Sequence, residues 1–376
     1  MLNRRTLRVK IMQSLFAFEQ CKEANYELAL DLIDERFAPD LNSMEVQDKP
    51  LLKKRNKEAR TLFQKTFKSE KEKESEDASV NDAVKEAIAF YQKQTKKDFS
   101  YFQKNLPIEV EKINHWYYAV LGLIIAFAEI AKTDKKSSQV NFSKNRFVKA
   151  LQTDAAVSTM LLKLNAGWDN DRNTVQAWFK DVIKDDQTVG SYAKISAPTI
   201  EEDKSFIKHV LRKLIFGDTV INDFFIERDI RWTEDKDIVK SLVEKTIKSL
   251  DESGGIQIQK LSLDWEDDLI FMNTLFEETT RIDKKDKDLI AKNTRNWEVD
   301  RLPLTDRIII EMAITELIHF NSIPVKVSIN EYIELTKHYS TPKSAKFING
   351  ILDVISKELV ASGRVKKSGR GLIDNK

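Results

Sequence analysis

The chain has 376 residues, of which 41% are hydrophobic, and a formal net charge of +2. Ten glycines and seven prolines are few for this length, which favours long helices over a turn-rich β fold. The single cysteine excludes an intramolecular disulfide framework and fits a reducing compartment. Because the net charge is close to zero, only the local distribution of charge can indicate a charged partner.

The first predicted helix covers residues 3–20 and has a basic start. Its core-facing positions recur at helical spacing: Leu7, Ile11, Leu15 and Phe18. Its cations precede any acidic residue: Arg4, Arg5, Arg8 and Lys10. Cations at a helix N-terminus oppose the helix dipole. Two interpretations remain open, a solvated basic end and an arm that binds a polyanion such as RNA.

The next part of the chain contains two kinds of predicted helix: amphipathic or charged helices, and one apolar helix. Residues 24–37 form an amphipathic helix, and residues 44–104 are rich in Lys and Glu, as in exposed helices or a flexible link. Ile113–Ala131 is apolar, but its core of about ten residues is roughly half of what a membrane-spanning helix needs. No signal peptide is visible. We therefore expect a soluble, cytoplasmic protein without a membrane partner.

Two stretches in the middle and C-terminal parts of the chain share a pattern. Phe206–Trp232 and Phe271–Trp297 are both 27 residues long and have apolar residues and one Asp at matching positions. This predicts a partial repeat of the C-terminal bundle at residues 206–250. The alternative is that two helix pairs match only through their shared periodicity.

The C-terminal part predicts three helices followed by a basic tail. Almost every position of residues 304–320 is apolar, and we expect the polar stripe Glu311, Thr315 and His319 to meet water or a partner. A capping box at Ser328 should open the second helix. Thr341-Pro342 should open the third, whose core stripe is Ile348, Ile351, Leu352, Ile355 and Leu359. Residues 362–376 predict a disordered basic tail.

No catalytic signature is present in the sequence. Glycine-rich nucleotide-binding loops, HExxH and CxxC are all missing, and the four histidines have no metal-ligand spacing. We therefore expect a protein that is not an enzyme and needs neither a metal nor a cofactor.

A binding constellation appears on the last predicted helix. Lys343, Lys346, Phe347 and Gly350 follow the spacing i, i+3, i+4 and i+7, so they share one helix edge. An aromatic ring between lysines can stack on a base while the ammonium groups meet phosphates. The alternative is that Phe347 packs against a neighbouring helix and that Gly350 only permits that crossing.

The runs DRLPLTDRIIIEMAITEL, IPVKVSINEYIELTK and KFINGILD resemble the C-terminal half of the NusB family of transcription antitermination factors. RRTLRVKIMQSLFAFEQ resembles the first helix of that family. The long middle has no counterpart in short members. The resemblance implies an all-α fold, a NusB-like helical bundle with a large helical insertion. The implied parts are N-terminal helices (1–40), the insertion (41–263), the C-terminal bundle (264–361) and the tail.

The resemblance also implies a function. Such a protein binds boxA-type single-stranded RNA together with NusE, a small-subunit ribosomal protein, in an RNA polymerase antitermination complex on ribosomal RNA operons. The implied RNA contacts come from both ends of the chain: Arg4, Arg5, Arg8, Phe16, Lys343, Lys346, Phe347 and Asn349. Asp306 resembles an acidic contact to NusE, and its alternative role is a first-turn acid favoured by the helix dipole. The alternative function is a non-catalytic protein–protein scaffold that acts through the insertion.

Overall fold

The computed structural model describes residues 2–42, 44–69, 74–133, 140–293 and 302–375. Within these ranges the fold is all-α and contains no strand, as predicted. The helices of the first half are α1 (Arg4–Arg36), α2 (Lys49–Ser69), α3 (Ala78–Thr133), α4 (Val140–Lys144), α5 (Arg146–Thr153), α6 (Ala155–Lys163), α7 (Arg172–Trp178) and α8 (Gln187–Ala193). Those of the second half are α9 (Ile200–His209), α10 (Thr219–Arg228), α11 (Trp232–Lys248), α12 (Trp265–Thr280), α13 (Lys284–Asn293), α14 (Leu304–His319), α15 (Val325–Tyr339) and α16 (Pro342–Ala361).

Two helices are longer than the sequence predicted. Helix α1 is continuous over 33 residues, although we expected two helices there. Helix α3 runs through Pro107 for 56 residues and joins the charged segment to the apolar one. By length and composition alone, α3 has a window apolar enough to cross a membrane, but 67% of that window is buried inside the fold. This is the pattern of a core helix, as predicted for Ile113–Ala131.

The chain divides into two compact units. Unit 1 consists of Met1–Thr6 and Ile108–Asp268, and unit 2 consists of Leu7–Pro107 and Leu269–Lys376. The insertion predicted at 41–263 therefore contributes to both units, because its charged first part groups with the C-terminal helices. That grouping has no local sequence signal, since it depends on contacts between residues far apart in the chain.

Unit 1 has its own core, centred on an aromatic cluster. The ring of Trp232 stacks on Phe225 with centroids 4.3 Å apart, and Trp116 meets both rings edge-on. The buried Tyr117 hydroxyl lies 2.6 Å from the Thr246 hydroxyl of α11. These contacts tie α3 to the helices that follow it.

In unit 2, the N-terminal helix packs with the C-terminal helices. The ring of Phe18 lies 6.3 Å from Phe276, and it also meets Phe99 and Phe102 of α3 edge-on. Burial of rings of this size supplies much of the hydrophobic stabilisation of a bundle. The expected return of the first helix to the C-terminal part is therefore observed.

The polar stripe predicted on α14 does not face water. Glu311 and Thr315 are buried, and only His319 is substantially exposed. The hydroxyl of Thr315 donates a hydrogen bond to the backbone carbonyl of Glu311 at 2.9 Å, so it needs no water partner. The expected contact with water fails for Glu311 and Thr315 because α14 packs against α15 and α16 and is also reached from α1, where Glu19 pairs with Arg307.

Helix α15 begins earlier than predicted. It starts at Val325, directly after Pro324, and Ser328 lies inside the helix with its hydroxyl turned inwards. The capping box at Ser328 and Glu331 is therefore wrong. The start of α16 is as predicted, because the Thr341 hydroxyl accepts the N–H of Ser344.

The C-terminal segment that we expected to be a disordered tail is ordered as far as it is described. The guanidinium of Arg364 donates to both carboxylate oxygens of Asp286, at 2.6 and 3.0 Å. The ammonium of Lys367 donates to the carbonyl of Phe320 at 2.9 Å. The prediction was wrong because it considered the basic residues without the acceptors that the fold brings to them.

The two stretches with a shared pattern have similar helix starts. Asp218 and Asp283 each accept the backbone N–H three residues further on, and Phe225 and Ile290 are both buried. Trp297 lies outside the described residues. The partial repeat at 206–250 stays a prediction.

Candidate nucleic-acid interface

Helix α16 is held with one face against the bundle and the other face open. Its inner positions are buried as the sequence predicted: Ile348, Ile351, Leu352, Ile355 and Leu359. Pro342 occupies the first turn, where its missing N–H costs nothing. The orientation of the outer edge therefore follows from the position of this apolar stripe.

The outer edge carries the predicted binding residues. Lys343, Lys346 and Asn349 are exposed, and Phe347 is half-buried. Half-burial holds a ring in place and leaves part of its surface accessible. The arrangement thus combines two positive charges, an amide and a ring on one side of a single helix.

Gly350 has open space where a side chain would be. A Cβ placed there would meet no described atom within 4 Å, apart from its own helix backbone and chain neighbours. The alternative that Gly350 permits a helix crossing is therefore wrong within the described chain. A glycine inside a helix costs about 1 kcal/mol relative to alanine. Its open position leaves room for the backbone of another molecule to approach.

Arg8 belongs to the core and not to a surface. Its guanidinium donates two hydrogen bonds of 2.7 Å to Glu316, and Glu331 lies 3.6 Å away. Ser328 and Tyr332 donate to the same Glu316 carboxylate. Burial alone lowers the pKa of Arg8, but the hydrogen bond to Glu316 and its charge outweigh burial and raise it, so Arg8 stays charged.

The burial of Arg8 corrects its predicted role. At 2% exposure the side chain cannot reach an RNA phosphate, and its donors are already used by Glu316. Sequence analysis missed Glu316 because it lies 308 residues from Arg8. Arg8 therefore holds α1 against α14 and α15 through Glu316 and Glu331.

Arg4 and Arg5 lie in unit 1 and differ from Arg8 in exposure. Arg4 is partly exposed and donates to Asp267, and it lies 3.6 Å from Asp268. Both acids lie near the start of α12. Arg5 is exposed. A partly exposed ion pair is weak, with a typical strength of about 0.5 kcal/mol, so a phosphate can replace these carboxylates.

Phe16 lies in unit 2 with its ring towards solvent. It is 39% exposed, whereas its neighbours Leu15 and Phe18 are buried. An exposed ring on an otherwise buried helix region offers a stacking surface. The RNA contact of Phe16 stays a prediction.

Asp306 is buried, which corrects its expected role. It is 2% exposed, and its Oδ1 atom has no hydrogen-bond partner among the described residues. A side chain with so little exposure presents no surface to a protein partner. Its position in the first turn of α14 fits the alternative, an acid favoured by the helix dipole.

Among the described residues, no group of three or more His, Cys, Asp or Glu side chains has the arrangement of a metal site. The exposed groups on α16 can form ion pairs, hydrogen bonds and stacking contacts. The fold and this surface define an all-α protein whose C-terminal bundle presents a basic and aromatic helix edge.

Residues 242–357 match the model of the NusB family. The C-terminal part of the chain is therefore similar to the NusB family. The matched range contains all of α14, α15 and the proposed interface residues of α16. Arg4, Arg5, Arg8 and Phe16 lie outside it.

Three relatives are each named transcription antitermination protein NusB. The protein of Salinibacter ruber is 45% identical over 103 residues, which are 27% of this chain and 64% of the relative. That of Chloroherpeton thalassium is 49% identical over 85 residues, 23% of this chain and 40% of the relative. That of Natranaerobius thermophilus is 40% identical over 89 residues, 24% of this chain and 64% of the relative.

The matches thus span less than two thirds of each of these relatives and about a quarter of this chain. No solved structure matches the chain.

Proposed function

We propose that this protein is a cytoplasmic, non-catalytic RNA-binding factor in transcription antitermination. The observation that carries the proposal is the outer edge of α16, where exposed Lys343 and Lys346 flank the half-buried ring of Phe347. The names of the three relatives support the same process. Nothing in this arrangement requires a metal or a cofactor.

The more detailed proposal is that the RNA is a boxA-type single strand, bound together with NusE in an RNA polymerase antitermination complex on ribosomal RNA operons. The ammonium groups of Lys343 and Lys346 neutralise phosphates, which releases counterions. One base stacks on Phe347, a contact worth about 1–3 kcal/mol. Asn349 offers hydrogen bonds, and the open space at Gly350 lets the sugar-phosphate chain approach the helix.

Arg4, Arg5 and Phe16 complete the proposed set of RNA contacts. Arg4 must exchange the carboxylates of Asp267 and Asp268 for phosphate when RNA binds. Arg8 and Asp306 are left out of the set because both are buried. The protein partner is therefore proposed without a contact at Asp306.

Fluorescence anisotropy with a boxA-like RNA and a scrambled RNA, with and without NusE, tests this function. Lys346→Gln should weaken binding and reduce the slope of log Kd against log salt by about 0.7, the value for one phosphate of a single strand. Lys357→Gln is the matched control, because Lys357 lies on the same helix, is exposed, and pairs with Asp353.

The outcomes separate the two candidate functions. Tight binding to the boxA-like RNA, strengthened by NusE and weakened only by Lys346→Gln, supports the proposal. Equal and weak binding to both RNAs, with no effect of NusE, contradicts it and favours a scaffold that acts through the inserted helices. A transcription assay then checks whether the protein increases read-through at a terminator.

A further inference from the structure

Helix α2 is strongly basic, and the interface on α16 does not use it. Its 21 residues include eight Lys/Arg and one acidic residue, Glu58. The wider segment 49–104 has fifteen Lys/Arg and nine Asp/Glu, a net charge of +6 in a chain of +2. The rest of the chain is therefore net negative, and the positive charge is concentrated in this segment.

One face of α2 is fixed against its neighbours. Ala59 and Phe63 are buried, and the Phe63 ring lies 5.3 Å from Tyr26 of α1. The arginines at the border of this face are used in ion pairs: Arg55 with Asp77 at 2.6 Å and Arg60 with Asp34 at 2.5 Å. These contacts determine which side of α2 faces solvent.

The opposite face carries four exposed lysines, Lys49, Lys53, Lys54 and Lys57. In the described part of the chain, none of the four forms an ion pair, in contrast to Arg55. Residues four apart on a helix lie about 6 Å apart along its axis. The lysine face, as we call these four residues, is therefore a short row of positive charges along the N-terminal half of α2.

In the described part of the chain, two acidic residues beside the lysine face already accept hydrogen bonds. The carboxylate of Asp48 accepts the N–H of Leu51 and caps the helix. Glu58 accepts a hydrogen bond from the hydroxyl of Ser75, and Glu74 lines the same groove as Lys54. The lysine face keeps a positive charge after these acids are counted.

We propose that the lysine face of α2 is a second polyanion-binding surface, which contacts the phosphates of RNA that flanks the segment bound at α16. This inference rests on the proposed RNA-binding function. RNA is the fitting occupant because lysine rows gain affinity through counterion release. Protein–protein interfaces are depleted in lysine and enriched in aromatic residues, which this face lacks.

Helix α2 and helix α16 belong to the same compact unit, unit 2. Phe16 and Tyr26 lie on α1, ten residues and about 15 Å apart, and Tyr26 contacts α2. An RNA strand that passes Phe16 therefore lies within a few nucleotides of the point where α1 contacts α2.

The test compares a short boxA-like RNA with the same RNA extended by about ten nucleotides at either end. The variant replaces Lys49, Lys53, Lys54 and Lys57 by Gln, which has a similar helix propensity. The matched control replaces Lys144, Lys149, Lys163 and Lys180, four exposed lysines of unit 1, by Gln. Circular dichroism and thermal unfolding check that both variants keep the fold.

Wild-type protein should bind the extended RNA more tightly than the short one. In the α2 variant, the slope of log Kd against log salt for the extended RNA should fall by about 2–3, at about 0.7 per phosphate. Its affinity at low salt should fall about tenfold, whereas binding of the short RNA should not change. The unit 1 control should bind both RNAs like the wild type.

Equal binding of both RNAs by the wild type, or equal losses in the α2 variant and the control, overturns this proposal and leaves the proposed function intact. A loss that appears only with NusE present assigns the lysine face to a protein partner and also overturns it. If the wild type binds neither RNA, the proposed function itself fails, and the inference about α2 fails with it.

Discussion

The basic residues at the start of α1 and those on the edge of α16 look alike in sequence, but the structure surrounds them differently. The Arg8 guanidinium donates to the buried Glu316 carboxylate, which also accepts the hydroxyl groups of Ser328 and Tyr332. Lys346 on α16 is exposed. A cationic residue that is buried together with its carboxylate partner is therefore not available to another molecule, whereas an exposed one is.

The largest expected effect is the loss of the buried ion pair. Arg8→Ala leaves the Glu316 carboxylate buried without its cation, which typically costs about 3–5 kcal/mol. Chemical unfolding should show this as a large decrease in the free energy of unfolding. Arg5→Ala, at an exposed position of the same helix turn, should change it by less than about 0.5 kcal/mol.

A double variant sharpens that test. Replacing both Arg8 and Glu316 by Met should restore only part of the stability, because an apolar pair can replace a buried ion pair but leaves the Ser328 and Tyr332 hydroxyl groups without their acceptor. Full stability of Arg8→Ala alone would contradict the structural role of Arg8. The residue would then return to the set of proposed RNA contacts.

The second effect concerns the α16 edge and should change affinity without changing the fold. Phe347→Ala should weaken binding of single-stranded RNA by about 1–3 kcal/mol, which corresponds to roughly five- to 150-fold, because one stacked base loses its platform. Anisotropy at fixed salt measures the change. Tyr101→Ala removes an exposed ring from α3 and serves as the control; a similar loss there would show that the effect is unspecific.

The third effect compares two carboxylates of α14: Glu316 pairs with Arg8, whereas Glu311 forms no ion pair with any described residue. Burial raises the pKa of Glu311; Glu19 raises it further, and Arg307, Lys287 and Lys22 lower it. Because the pKa of Glu311 is higher in the folded protein than in the unfolded chain, folding favours the protonated acid. The contribution of Glu311 to stability is therefore fully present below the ordinary pKa of 4.5, and it is lost as the pH rises through the pKa in the folded protein.

Glu311→Gln should therefore stabilise the protein at neutral pH by on the order of 1 kcal/mol, the scale for one poorly compensated buried polar group. The gain should vanish near pH 4, where the wild-type carboxyl is protonated. Thermal unfolding of both proteins between pH 4 and 7 measures it. A gain that does not depend on pH would show that the charge of Glu311 is not responsible.

The smallest effect concerns Arg4, whose surroundings are intermediate between those of Arg8 and Lys346. Asp267→Asn removes one carboxylate from Arg4 and should increase RNA affinity about two- to threefold at low salt, as expected for an exposed ion pair. Glu266→Gln makes the same change of charge one residue earlier on α12 and should have a smaller effect. If both variants behave alike, only the net charge matters.

The sequence predicted those features that depend on neighbouring residues. The apolar stripe of α16, its Thr341 cap and the outer position of Lys346 all follow from helical spacing. The same reasoning was wrong for Glu311 and Thr315, because burial of α14 on several sides depends on which helices pack against it. Local polarity alone does not reveal that packing.

Distant pairs explain the remaining errors. Glu316 binds Arg8 across 308 positions, and Asp286 binds Arg364 across 78, so neither pairing leaves a local signal. For the basic residues of α2, the sequence shows how many there are but not which of them are exposed. Their number was visible in the sequence, but only the structure shows that Arg55 is used in an ion pair and Lys54 is exposed.

Ultraviolet cross-linking of a boxA-like RNA, followed by mass spectrometry of tryptic peptides, tests the central claim most directly. Cleavage after Lys346 and Lys357 releases the peptide that begins with Phe347. The account predicts that this peptide carries a cross-linked nucleotide and that the cross-link is lost in Phe347→Ala. Cross-links confined to peptides outside α16 would contradict it.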